Sequence, residues 1–201
     1  MSEINHADIQ ILVLLMTPLN PPEPSILLET TASLEAKKIR FELNRIKLPI
    51  GLEKTFGIIH HPGAALAVPI TSDGQIVLLR QYRFAISRRI LEFPAGTLEE
   101  NENPLSSIQR ELGEEAGYQA DTWDPLGIMT PCPGYSNELI HMFLARDLVE
   151  LKEKPSGDDD EDIEILHMTK SELDQCISSG NELLDGKSLT AWYRAQQLLK
   201  I

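Results

Sequence analysis

Residues 96–118, GTLEENENPLSSIQRELGEEAGY, decide how the rest of the chain is read. The stretch carries Glu99, Glu100, Glu102, Glu111, Glu114 and Glu115 around a single arginine, Arg110. Its second half predicts a helix. Asn103 suits the N-cap, and Pro104 falls at the first helical position, where its missing N–H costs nothing. Leu105, Ile108, Leu112 and Ala116 recur at helical spacing and make one apolar stripe. Gly117 closes the pattern as a C-cap.

The acids then have defined places beside that stripe. At about 100° per residue, Glu111 and Glu115 stand about 40° apart, and Glu114 about 60° to the other side of Glu111. Like charges so close destabilise a helix by a few tenths of a kcal/mol per pair. Two readings are open from the helix alone. One is a solvated acidic face in an acidic chain; the other is a strip of hard oxygen ligands for a divalent cation.

The wider spacing bears on that choice. Gly96, five residues, Glu102, seven residues, Arg110-Glu111-Leu112, one residue, Glu114-Glu115, one residue, Gly117 and then apolar Tyr118 resembles the Nudix box at every defining position. The resemblance implies a Nudix hydrolase using Mg²⁺ or Mn²⁺ to cleave a diphosphate linkage in a nucleoside diphosphate derivative. It also implies an α/β (α+β) fold, the α/β/α sandwich with a mixed sheet and a catalytic loop-helix-loop. Glu111 and Glu115 are then the expected metal ligands, with the Ala95 carbonyl as a third. Glu114 ligates a second ion or bridges through water. Arg110 braces the carboxylates, and Glu102 orients Arg110 or the metal shell. Gly96 and Gly117 serve the backbone geometry.

Composition sets outer limits. With 201 residues and an apolar share of 42%, the chain suits one domain with a small extension. Its net charge of −13 argues against duplex nucleic acid or an anionic membrane as partner. No apolar run is long enough to span a bilayer. Cys132 and Cys176 have no metal-ligand spacing and fit a reducing, cytoplasmic setting, with a disulfide between them as the alternative.

Three segments are expected: a loosely held extension over residues 1–25, N-terminal strands over 26–60 as a possible dimerisation element, and the hydrolase domain over 61–201. The extension pairs an apolar run, Ile9–Met16, with Pro18, Pro21, Pro22 and Pro24, and lacks the basic start of a signal peptide. Alternation predicts strands at Lys38–Leu48 and Thr55–His60. Ala64–Ile70 and Gln75–Tyr82 read as a hairpin around Thr71-Ser72-Asp73-Gly74. Further strands are expected at Ala120–Met129, Leu139–Ala145 and Ile163–His167. Helices are expected at Ser171–Ile177, capped by Thr169 or Ser171, and at Ser188–Leu199.

The flanks resemble the ADP-ribose pyrophosphatase branch. Leu79-Arg80-Gln81-Tyr82-Arg83, Leu91-Glu92-Phe93-Pro94-Ala95-Gly96, Pro133 in its loop, and the acidic run ending Glu161-Asp162-Ile163 carry that likeness. It implies ADP-ribose as substrate, cleaved to AMP and ribose 5-phosphate, and a homodimer. Arg83 is the implied phosphate contact, against the plainer reading of a strand arginine paired with an acid. Glu138 is the implied hydrogen-bond partner of the ribose. Glu161 is the implied general base, unless Asp158–Asp162 is only a solvated linker. The branch often has a phosphate-reaching arginine before the hairpin. Here the stretch is Lys54-Thr55-Phe56-Gly57, and Lys54 offers a point charge without the planar fork. Another nucleoside diphosphate sugar, NADH or FAD is the alternative substrate. A sensor that binds ADP-ribose without cleaving it is the alternative class, although every box acid is retained.

Overall fold

The computed structural model describes residues 23, 25–153 and 162–201. These form two compact units: residues up to Gly63 with Thr130–Leu139, and Ala64–Met129 with Ile140–Ile201. Apart from Glu23 and Ser25, the expected extension lies outside the described residues, as does Glu161.

The first unit is an antiparallel sheet of β1 (Ile26–Ala36), β2 (Ile39–Lys47) and β3 (Glu53–His60), in that order. Lys37, at φ +51°, turns β1 into β2. The segment Thr130–Leu139 is tied to the end of β3. Ile59 donates to the Tyr135 carbonyl at 2.7 Å, and the His61 N–H donates to Asn137 Oδ1 at 2.8 Å. His60 and His61 work locally in this unit. His60 Nε2 lies 2.8 Å from Glu42 across the sheet, and His61 Nδ1 lies 3.6 Å from Glu138.

The second unit contains two sheets. Strands β7 (Ala95–Thr97), β4 (Ala64–Pro69), β9 (Ile140–Glu150) and β8 (Tyr118–Met129) form one, in the order β7-β4-β9-β8. Its β4–β9 pair is parallel and its other pairs antiparallel, so the sheet is mixed. The other has the order β10-β5-β6, from β10 (Ile163–Met168), β5 (Ile76–Arg83) and β6 (Arg88–Glu92).

Alternation along the strands builds two cores, because successive side chains leave opposite faces. Leu66, Val68, Ile76, Leu78, Ile140, Met142 and Leu144 pack with α2 (Lys170–Ser179) and α3 (Gly186–Leu199) through Leu173, Ala191, Trp192 and Ala195. Ala65, Ala67, Val77, Leu79, Phe143 and Ala145 pack instead with Ile108 and Leu112 of the segment following Asn103. Helices therefore cover both faces, as the α/β/α sandwich requires. Thr169 caps α2 in a capping box with Glu172, and Asp185 caps α3. No helix among the described residues is long and apolar enough to cross a membrane. Cys132 and Cys176 are free thiols.

The hairpin expected from Ala64 to Tyr82 is not formed. Its turn is there, with Thr71 N–H donating to the Gln75 carbonyl at 2.9 Å, but only Ile70 and Ile76 bridge beyond it. Past that point β4 and β5 enter different sheets. Both edges of β4 are taken by β7 and β9, and both edges of β5 by β10 and β6. The continuous burial of β4 and of residues 76–79 marks central strands, and a turn signal cannot say which edge is free.

Candidate active site

The segment after Asn103 starts as expected and then changes pitch. Asn103 Oδ1 accepts the Leu105 N–H at 2.9 Å, and α1 runs over Pro104–Glu111. From Leu112 to Ala116 the backbone widens into a π-type turn, closed by Gly117 at φ +75°, whose N–H reaches the Leu112 and Gly113 carbonyls. The uniform helix of the sequence reading, with its even angles between acids, is thereby corrected. The wider turn rotates the last two glutamates relative to α1, and such turns recur at functional sites.

Glu115 is turned inward. It is 4% exposed, and its Oε2 accepts the Ala95 N–H at 2.9 Å. Glu111 rests on the next residue: a Cβ added to Gly96 would lie 2.0 Å from Glu111 Oε1. Only a glycine admits that carboxylate. Two carboxylates thus converge on one short piece of backbone, Ala95–Gly96, held in β7 by pairing with Leu66 and Ala65 of β4.

Arg110 sits among the remaining acids. Its guanidinium is 2.7 Å from Glu114, 2.9 Å from Glu111 and 3.7 Å from Glu102. Burial works to lower its pKa, but the charges of Glu111 and Glu114 outweigh this and raise it, so it stays a fixed cation. Glu102 Oε2 also accepts the Glu99 N–H at 2.9 Å. That bond, opposed by partial burial and aided by Arg110, holds the Glu102 carboxyl below its ordinary range.

Arg83 is engaged by an acid. It makes a two-pronged contact with Glu92, through Nε at 3.0 Å and through Nη2. Glu92 is 3% exposed and also lies 3.5 Å from Lys187, which contacts Asp185. A buried carboxylate of this kind is tolerable only with cations beside it. Burial tends to lower the Arg83 pKa, yet Glu92 raises it overall, and the charges of Asp185 and Glu115 are felt there too. Glu92, Lys187 and Asp185 were not singled out from the sequence. The signal for Glu92 was an acid inside the apolar run Ile90-Leu91-Glu92-Phe93, which demands a cationic partner.

Lys54 and Glu138 belong to the other unit. Lys54 is exposed on β3, and Glu138 is partly buried beside His61. Among the described residues, no three acidic, histidine or cysteine side chains are clustered as a ready ion cage. The donors at Ala95–Gly96 nevertheless fit Mg²⁺-type chemistry. A magnesium ion takes one or two protein carboxylates and leaves its other positions to water and substrate phosphate. Glu111 and Glu115 are carboxylates of the kind such an ion takes, and they lie beside the Ala95–Gly96 backbone.

Residues 60–185 match the Nudix domain family. The chain belongs to that family. It is a Nudix hydrolase, and hydrolysis of nucleoside diphosphate derivatives is its reaction. It is 35% identical over 155 residues to an ADP-ribose pyrophosphatase of Bacillus subtilis, covering 77% of this chain and 83% of the relative. A methanol dehydrogenase activator of Bacillus methanolicus is 30% identical over 175 residues, covering 86% and 94%. A crystal structure described as an ADP compounds hydrolase superposes with a TM-score of 0.77 at 18% identity, over 90% of this chain and 97% of that one, and shares the Nudix fold. Nudix hydrolases as a class work with divalent metal, which agrees with the hard-oxygen donors at Ala95–Gly96.

Proposed function

We propose that the protein hydrolyses ADP-ribose to AMP and ribose 5-phosphate. The observation carrying the chemistry is the convergence of Glu111 and Glu115 on Ala95–Gly96, with Arg110 gripping the acids around them. The similarity to the Bacillus subtilis ADP-ribose pyrophosphatase carries the choice of substrate.

Glu111, Glu115 and the Ala95 carbonyl would hold Mg²⁺ or Mn²⁺, with Glu114 close by. The ion supplies charge neutralisation on the diphosphate and an acidified water. The chain's own residues do the rest. Arg110 fixes Glu111 and Glu114 against their mutual repulsion, and a guanidinium can hold two acids in one geometry. Glu102 ties that brace to the loop before α1. Glu92 takes Nε and Nη2 of the Arg83 fork, so that the other in-plane N–H edge is left to donate to a phosphate oxygen. Glu138 is assigned to the ribose and Lys54 to a phosphate. Glu161 is assigned as the general base.

A homodimer in the cytoplasm completes the reading. The first unit exposes Ile26, Leu27, Leu34 and Phe41 on its sheet and Ile50 in the turn between β2 and β3, apolar area that a second copy of this chain would cover. Light scattering at micromolar concentration should give twice the 22.5 kDa chain mass.

The test of the reaction is a substrate panel on the purified protein with Mg²⁺ or Mn²⁺. ADP-ribose should give AMP and ribose 5-phosphate faster than UDP-glucose, NADH or FAD is cleaved. Preference for one of the others would overturn the substrate while keeping the reaction.

A further inference from the structure

Leu183-Leu184-Asp185-Gly186-Lys187-Ser188, the entrance to α3, runs beside the backbone that leads into Ala95–Gly96. The Leu91 N–H donates to the Leu183 carbonyl at 2.8 Å, and the Phe93 N–H donates to Ser188 Oγ at 3.0 Å. Ser188 is fully buried. Asp185 Oδ1 accepts the Ser188 N–H at 2.8 Å and so fixes where the helix begins. Between those two stitches stands Glu92, and the same entrance reaches it with Lys187.

Four charges line up as a result. Glu92 Oε2 is shared, with Arg83 Nη2 in contact and Lys187 Nζ 3.5 Å away. Lys187 Nζ in turn contacts Asp185 Oδ2. The series Arg83, Glu92, Lys187, Asp185 alternates in sign and ends on the half-exposed guanidinium. Lys187 is only 16% exposed, and a lysine so far withdrawn from water is costly unless it is paired. Arg83, with two bonds, already balances the Glu92 charge. Burial of Glu92 therefore does not by itself call for a second cation on the same oxygen.

What the second cation changes is Arg83. An anion approaching an arginine–carboxylate pair is attracted by the guanidinium and repelled by the carboxylate behind it. Lys187 offsets that repulsion from within the protein. Asp185 is near enough for its own charge to act at Arg83, which opposes the effect. Part of that charge is offset at the start of α3, where a helix carries about half a positive charge.

We infer that Lys187 is a positioning residue for the substrate: by sharing Glu92 it leaves the Arg83 guanidinium available to a phosphate of the bound diphosphate. The inference rests on the Arg83–phosphate contact of the proposed reaction and extends that contact to the first turn of α3.

The test is steady-state kinetics with ADP-ribose and Mg²⁺. Lys187→Met keeps the apolar stem and drops the charge. KM should rise about fivefold and kcat change less than about twofold, because the lost attraction acts on ground state and transition state alike. Lys187→Arg should restore KM. In a Glu92→Gln background no carboxylate is left to share, and adding Lys187→Met should then change KM by less than about twofold. Asp185→Asn keeps the cap and removes the opposing charge, so KM should fall about twofold. This opposite sign is one that a packing role would not give, and it is measured without relying on how well Lys187→Met folds. Unchanged KM in both Lys187→Met and Asp185→Asn would overturn the inference. An equal rise with and without Glu92→Gln would overturn it too, since Lys187 would then act on the substrate directly. Unchanged KM in Arg83→Ala would instead remove the phosphate contact beneath it.

Discussion

The segment from Ala95 to Gly117 and the sheet of β1, β2 and β3 are held by opposite means. In the first, Ile108 and Leu112 are fully buried, Glu115 is nearly so, and each acid of the box rests on backbone or on Arg110. In the second, all eleven residues of β1 are exposed, and Leu34 is 70% exposed. Its strands keep their ladder hydrogen bonds, but Asn44 is their only buried side chain. The difference teaches where geometry is over-determined. A carboxylate wedged on a glycine is confined by the backbone it rests on, whereas an apolar side chain on an open sheet can change without cost to its own unit.

The largest effect should come from Glu115→Gln, which keeps the size and the bond to Ala95 but removes the charge. Turnover of ADP-ribose should fall on the order of a thousandfold, since several kcal/mol of transition-state stabilisation depend on that site. Steady-state assays across Mg²⁺ concentrations would check it, and wild-type rates would sink the assignment.

Gly96→Ala should come next. The added methyl meets Glu111 Oε1 at 2.0 Å, so the carboxylate must shift by an ångström or more. About a hundredfold loss of kcat is expected from a displacement of that size, with the circular dichroism spectrum unchanged. A fully active variant would show that the first region is no more rigid than the second.

Arg83→Ala leaves Glu92 buried with only Lys187 near it. Because the guanidinium is itself 41% exposed, the loss of stability should be about 1–2 kcal/mol, less than for a fully buried pair. Urea melts would measure it. Arg83→Ala should also raise KM, and Glu92→Gln, which frees the fork, should do so less.

The smallest change in stability should follow Leu34→Ser on β1. Thermal unfolding of the monomer should shift by no more than about 0.5 kcal/mol, as for other open surface sites. Light scattering should nevertheless show a weakened dimer. A large loss of monomer stability would mean that the second region is held as tightly as the first.

Much of the active-site segment could be read in advance because its signals are local. Asn103, Pro104 and Gly117 act on backbone groups within one turn, and the apolar stripe of α1 needs only the helical period. The spacing of Glu111, Glu114 and Glu115 likewise put carboxylates on one strip, and the resemblance of the whole stretch to the Nudix box implied metal-assisted hydrolysis. A local signal was also sufficient for the cap of α2, where Thr169, one of the two expected candidates, stands.

Tertiary structure decided what depends on partners far away in sequence. Thr71–Gly74 determined a turn, but the competition of β7, β9, β10 and β6 for strand edges separated β4 from β5. Packing widened the helix at Leu112 and turned Glu115 toward Ala95, which no helical wheel anticipates. Glu92 met Arg83 and Lys187 only because β5, β6 and the start of α3 meet in space. Gly96, Ala65 and His141 line up solely as a register across three strands. The reaction is therefore written in short-range spacing, where a few bonds fix the geometry. The substrate's surroundings come from long-range pairing, where each contact depends on the whole sheet being in place.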